Sequence, residues 1–144
     1  MPKAIIIYET RTGSTKSLAE AIREGMKLSG LETTLKTTNE VELLELANYE
    51  GVVLGAPTYH KDMIGTMKTF LFKLEQANLK GKIGAAFGAW GWSGEAVEMI
   101  GETMKHIYGM DVVEPRGRLM GKTSGAGQYK EFGKKIAEKI KGNK

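Results

Sequence analysis

Short apolar runs alternate with helix-length amphipathic segments along the whole chain, the pattern of a parallel sheet covered on both faces. Lys3–Tyr8, with Ala4-Ile5-Ile6-Ile7 at its centre, reads as a first buried strand. Residues 15–29 follow as a helix that gathers Leu18, Ala21, Ile22 and Met26 on one face and ends at Gly30. Glu32–Thr37 is threonine-rich and predicts a weaker strand at a sheet edge, followed by a short helix over residues 40–47. Residues 51–56 form a buried strand that stops at Pro57. Beyond it, residues 63–75 predict a helix burying Met63, Met67, Phe70, Leu71 and Leu74. Residues 82–87 predict a strand, and residues 94–108 a helix carrying Val97, Ile100, Met104 and Ile107. A fifth strand is expected over residues 110–114, resumed near 118–120 after Pro115. The last helix spans residues 124–141 and packs through Phe132, Ile136, Ala137 and Ile140.

Five strands and about five helices in 144 residues make one doubly wound α/β domain with strand order 2-1-3-4-5. Ligands in such sheets bind beyond the carboxyl ends of the strands, where the winding direction reverses. Three neighbouring strand ends carry unusual residues there. Thr10-Arg11-Thr12-Gly13-Ser14-Thr15 follows the first strand and consists almost entirely of hydroxyl side chains and glycine. At a strand-to-helix turn these residues join free backbone N–H groups and the positive end of a helix dipole, a setting for a phosphate monoester. Arg11 either adds charge or faces solvent. A more modest role is open to Ser14 or Thr15, which could simply cap the helix, although a cap needs one hydroxyl rather than four.

The loop after the third strand, Pro57-Thr58-Tyr59-His60-Lys61-Asp62, offers a rigid backbone and an aromatic face. The loop after the fourth, Gly88-Ala89-Trp90-Gly91-Trp92-Ser93-Gly94, holds both tryptophans of the chain. Two indoles in one loop suit a flat conjugated ring lying between these segments; the alternative is that they cover the sheet's end as minor core.

Composition and charge narrow the classes. The chain has no cysteine, which removes disulfides, thiolate metal sites and a cysteine nucleophile and fits a reducing compartment. Neither an N-terminal signal nor a run of membrane-spanning length is visible, so a cytoplasmic location without membrane insertion is expected. The net charge of +4 lies wholly from Tyr129 onward, in six lysines set against two glutamates. A solvated helix face accounts for it, with docking of an acidic partner as the alternative. Nucleic acid is not expected, because no aromatics interleave with a broader basic surface.

Rival motifs fail. Gly88, Gly91 and Gly94 lack dinucleotide-fingerprint spacing and follow the wrong strand. Glu95 stands where a nucleophile elbow needs its second glycine. Gly121-Lys122-Thr123 lacks the first glycine of a P-loop. A receiver domain needs an acidic pair after the first strand, where Glu9 stands alone. His106 reads as structural, near a helix end; His60 lies in the ring loop.

Thr-x-Thr-Gly-Ser-Thr after the first strand resembles the FMN-phosphate loop of flavodoxins. Ala-Pro-Thr-Tyr after the third strand and Phe-Gly-Ala-Trp-Gly-Trp-Ser-Gly-Glu-Ala after the fourth resemble the flavodoxin-like domain of diiron (type A) flavoproteins. The resemblance covers essentially the whole chain and implies a flavodoxin-like FMN-binding domain over residues 1–144. It assigns Thr10, Thr12, Gly13, Ser14 and Thr15 to the phosphate, with Arg11 beside them. It assigns Pro57, Thr58, Tyr59, His60, Gly88, Ala89, Trp90, Gly91, Trp92, Ser93 and Gly94 to the ring and ribityl chain. The implied partners are a reductase and an acceptor protein, the acceptor being for instance a separate diiron or iron–sulfur protein.

Three departures accompany it. With only His60 and His106, the chain does not itself carry the histidines of a diiron centre. Flavodoxins are typically acidic, whereas the last helix here is basic. Residues 57–62 also lack the glycine whose peptide, in flavodoxins, turns to accept a hydrogen bond from the reduced ring. The expected function is low-potential electron transfer between proteins, since apolar walls with few positive charges disfavour a negative ring. An FMN-dependent NAD(P)H:quinone-type oxidoreductase and a flavin-free binding module of the same fold are the alternatives.

Overall fold

A computed structural model describes residues 2–9, 13–56, 58–59, 62–63, 65–88, 95–113 and 126–142. Its main sheet contains β1 (Lys3–Tyr8), β2 (Glu32–Thr37), β3 (Gly51–Gly55), β6 (Ile83–Phe87) and β7 (Asp111–Val112). Between β3 and β6, the short β4 (Thr58–Tyr59) and β5 (Asp62–Met63) form an antiparallel pair. The main sheet is parallel throughout, in the order β2-β1-β3-β6-β7, so its five strands run 2-1-3-4-5 as expected. The helices are α1 (Ser14–Leu28), α2 (Gly65–Lys73), α3 (Glu95–Glu102) and α4 (Ala126–Gly142).

β1 occupies the middle of the sheet because its side chains are apolar on both faces. Ile6 joins the core beneath α1 and α4, with Leu18, Ile22, Phe132 and Ile136. Ile5 and Ile7 join the opposite core beneath α2 and α3, with Met67, Phe70, Leu74 and Ile100. All three isoleucines are fully buried, each worth roughly 2–3 kcal/mol relative to exposure. β2, with only half-buried side chains, lies at the sheet edge as its threonines predict.

α1 and α4 cross almost backbone to backbone. A Cβ on Gly25 would lie 2.0 Å from the Lys130 carbonyl oxygen, and one on Gly133 would lie 2.2 Å from that of Ile22. These paired glycines fix where the basic helix rests. Its lysines are largely engaged with the chain itself: Lys130 with Glu24 (3.4 Å), Lys134 with Glu131 (3.3 Å) and Lys139 with Asp111 (3.4 Å). Lys141 donates to the Ser29 carbonyl at 2.6 Å, satisfying the end of α1. These contacts favour a solvated face over a dedicated docking surface for the C-terminal charge.

Several boundaries differ from expectation for identifiable reasons. The helix expected over residues 40–47 is a 3₁₀ turn, Leu43–Asn48. Glu40 instead turns back to accept from the Thr37 N–H (2.8 Å), and Glu45 accepts from the Glu42 N–H (2.9 Å) as a capping box. Met63, expected to open the helix, belongs with Asp62 to β5, and α2 ends at Lys73 with a 3₁₀ turn, Leu74–Gln76, after it. α3 ends at Glu102 and continues as a π-turn, Thr103–Ile107, where the Thr103 hydroxyl bonds the Met99 carbonyl at 2.7 Å. That wider turn carries Ile107 out of the core to 71% exposure, against its expected burial. β7 is only two residues long, and the continuation near 118–120 lies outside the described residues. Among the described residues, no helix is long and apolar enough to cross a membrane.

Candidate functional site at the carboxyl ends of β1, β3 and β6

The parallel register brings Tyr8, Gly55 and Phe87 level, so the segments that follow them start side by side. Hydrogen bonding continues one residue past the strands: the Glu9 N–H donates to the Gly55 carbonyl (3.0 Å), and the Ala56 N–H to that of Phe87 (3.2 Å). The Glu9 carboxylate also accepts the Thr38 hydroxyl in a short hydrogen bond, tying the end of β2 into the same edge.

Gly13 opens α1. It is the helix N-cap in a left-handed conformation (φ +90°, ψ −7°), with no side-chain capping bond. Such a φ favours glycine, and a Cβ here would meet nothing within 4 Å, so open space adjoins this backbone. The Ser17 N–H (3.1 Å) and hydroxyl (3.2 Å) both donate to the Gly13 carbonyl. No acidic residue occupies the first turn of α1, so no carboxylate of its own offsets the positive pole.

Thr15 is the sole polar or charged residue that is buried among the described residues, at 1% exposure. Its hydroxyl oxygen is sealed from solvent and has no hydrogen-bond partner there. Burying a hydroxyl unpaired costs about 1–3 kcal/mol, so an orphan beside a helix N-terminus points to a missing acceptor. Thr15 therefore does not serve as the cap. The left-handed glycine, a first helical turn without carboxylates and the orphaned hydroxyl together suit an anion.

On the other side, Gly88 leaves β6 in close contact with β3. A Cβ at Gly88 would lie 1.9 Å from the Ala56 carbonyl oxygen, so only glycine lets the two loops start this near each other. The Phe87 ring lies so close over Gly55 that a Cβ there would be 2.1 Å from it. Tyr129 of α4 reaches the same place: its hydroxyl lies 3.4 Å from the Gly88 carbonyl oxygen. Burial pushes that phenol up to about 12.

Of the residues expected at this site, Gly13, Thr15 and Gly88 stand at the edge with their surroundings visible. Ser14, Thr58 and Tyr59 are placed by backbone alone, in α1 and β4. Thr10, Arg11, Thr12, Pro57, His60, Ala89, Trp90, Gly91, Trp92, Ser93 and Gly94 lie outside the described residues. Tyr129 was not singled out from the sequence. Its place three residues before Phe132 and seven before Ile136, on the face that packs, is the periodic signal that identifies it. A separate groove of about 1040 Å³, lined by residues including Leu71, Phe72, Met99, Ile107 and Tyr108, lies where α2 and α3 end. That is the opposite edge of the sheet, beside the segments that enter β6 and β7. Among the described residues, no group of histidine and carboxylate side chains could hold a metal ion.

A model of the flavodoxin family matches residues 6–134. A type A flavoprotein of Rhodobacter capsulatus is 34% identical over 148 residues, covering 96% of this chain and 33% of that protein. A nitric oxide reductase of Moorella thermoacetica is 31% identical, covering 96% and 36% respectively. The chain thus spans about a third of the length of these two curated relatives. Among solved structures, a flavodoxin from the domain Archaea is similar at a TM-score of 0.83 and 33% identity, over 96% of this chain and 99% of that one.

The raised value of Tyr129 predicts alkaline instability. Its neutral phenol contributes stability that is complete below the ordinary tyrosine value near 10 and is lost as pH rises toward 12. Guanidinium unfolding between pH 9 and 12 should show stability falling as pH rises through this window, and Tyr129→Phe should flatten the fall.

Proposed function

The chain belongs to the flavodoxin family, and on that premise we propose that it is an electron carrier working in the cytoplasm between a reductase and an acceptor protein. The family's cofactor, FMN, is its cofactor. FMN supplies a ring that accepts and releases electrons, and the protein sets its affinity and potential through burial, stacking and backbone contacts.

The observation that carries the reading is the orphaned Thr15 hydroxyl beside left-handed Gly13 at the start of α1. A phosphate there would accept from Thr15 and from backbone N–H groups at the N-terminus, and would lie at the positive end of the helix. Thr10, Arg11, Thr12 and Ser14 complete the proposed phosphate loop. Pro57–His60 and Gly88–Gly94 are proposed to hold the ring, with Trp90 and Trp92 offering stacking faces. The close start of these two segments, enforced at Gly88, supports that assignment. An apolar setting opposes negative charge on the ring and favours low-potential operation.

Purified protein should be yellow, or should quench FMN fluorescence when the flavin is added. Mixed anaerobically with NADH or NADPH alone it should keep its oxidised absorption, and lose it once a flavodoxin reductase is present. Colourless protein that fails to quench FMN would contradict the cofactor, and fast bleaching by nicotinamide alone would contradict the carrier role.

Thr15→Val separates folding from ligand binding. Removing an unpaired buried hydroxyl should leave the flavin-free protein as stable as before or more stable by about 1 kcal/mol in urea unfolding. FMN affinity should fall about tenfold or more in a fluorescence titration.

A further inference from the structure

Successive residues of a parallel strand direct their peptide groups alternately to the two neighbouring strands. In β6 the odd positions serve β3: the Ile83 N–H bonds the Glu50 carbonyl (3.0 Å), and the Phe87 carbonyl accepts from Ala56 (3.2 Å). Even positions serve β7: the Lys82 carbonyl accepts from Asp111 (2.9 Å), and that of Gly84 from Val113 (2.7 Å). By the same alternation the Gly88 carbonyl faces the β7 side. Among the described residues, β7 pairs with Ile83 and Gly84. Among the described residues, a donor that reaches the Gly88 carbonyl is the hydroxyl of Tyr129, 3.4 Å away and projecting from the first turn of α4.

Gly88 is thereby held from two directions. Its Cα is pressed against the Ala56 carbonyl on one side, and its own carbonyl meets the Tyr129 phenol on the other. Tyr129 is 1% exposed and is among the largest fully buried side chains, so its hydroxyl is placed by the α4 packing rather than by solvent. We propose that Tyr129 is a positioning residue for the flavin: acting through the Gly88 carbonyl, it fixes Gly88 where the chain leaves β6 and so sets FMN affinity and potential. The inference rests on the FMN reading above.

The test compares Tyr129→Phe with Ile136→Val, a packing change in the same helix, each as full-length protein reconstituted with FMN. Thermal melts of the flavin-free forms should show both variants folded. Tyr129→Phe should raise the FMN dissociation constant threefold or more, shift the visible absorption of the bound flavin and move its midpoint potential. Ile136→Val should leave all three at wild-type values. A Tyr129→Phe protein matching wild type in all three, or an Ile136→Val protein changed as much, overturns this inference alone. Wild-type protein that takes up no FMN overturns the inference and the cofactor reading together.

Discussion

The register of β1 against β3 and of β3 against β6 is the constraint on which the rest depends. It sets Tyr8, Gly55 and Phe87 at one level and lets the ladder run on through Glu9 and Ala56. A slip of one residue in β1 would turn Ala4, Ile6 and Tyr8 out of the core beneath α1 and α4 and set Ile5 and Ile7 in their place, moving the Tyr8 ring to the opposite layer. It would also separate the strand ends whose alignment makes the site. Core packing and the alignment of the strand ends are consequences of the same pairing.

Local stability is given up where the strands end. Gly13 takes a backbone conformation that most residues resist, and Thr15 buries a hydroxyl with no acceptor. The start of α1 carries no carboxylate to offset its dipole. Elsewhere the termini are carefully satisfied: Lys141 caps the end of α1, and the Glu42–Glu45 capping box closes the 3₁₀ turn. Several such features meeting at one point single that point out, although the Arg23 Nε farther along α1 is also buried without a partner.

Much of this was legible in the sequence. The Ala4–Ile7 run reads as a strand buried on both faces, the threonines of β2 as an edge, and alternation with amphipathic helices as the 2-1-3-4-5 order. What escaped has physical causes. The β4–β5 pair surrounds His60-Lys61, which lacks the glycine of the dipeptides that announce a tight hairpin, so Asp62 reads as loop and Met63 merges into the helical pattern. The π-turn begins at Thr103, whose hydroxyl bonds the Met99 carbonyl, and a periodicity of 3.6 residues does not register the wider turn that leaves Ile107 exposed. At the site, the Thr/Gly loop announced itself by composition. Tyr129 did not, because on its own helix it is one more core side chain, and its contact with the Gly88 carbonyl exists only in the folded chain. The tryptophan segment and Thr10–Thr12 lie outside the described residues.

If the β1–α1 turn is a phosphate anchor, the phosphate must contribute a large share of the cofactor's binding energy. Titrating flavin-free protein with FMN and with riboflavin, which differ by that phosphate alone, measures this share directly. The account predicts that FMN binds at least a hundredfold more tightly, about 2.7 kcal/mol or more. Equal affinities for the two flavins would contradict it.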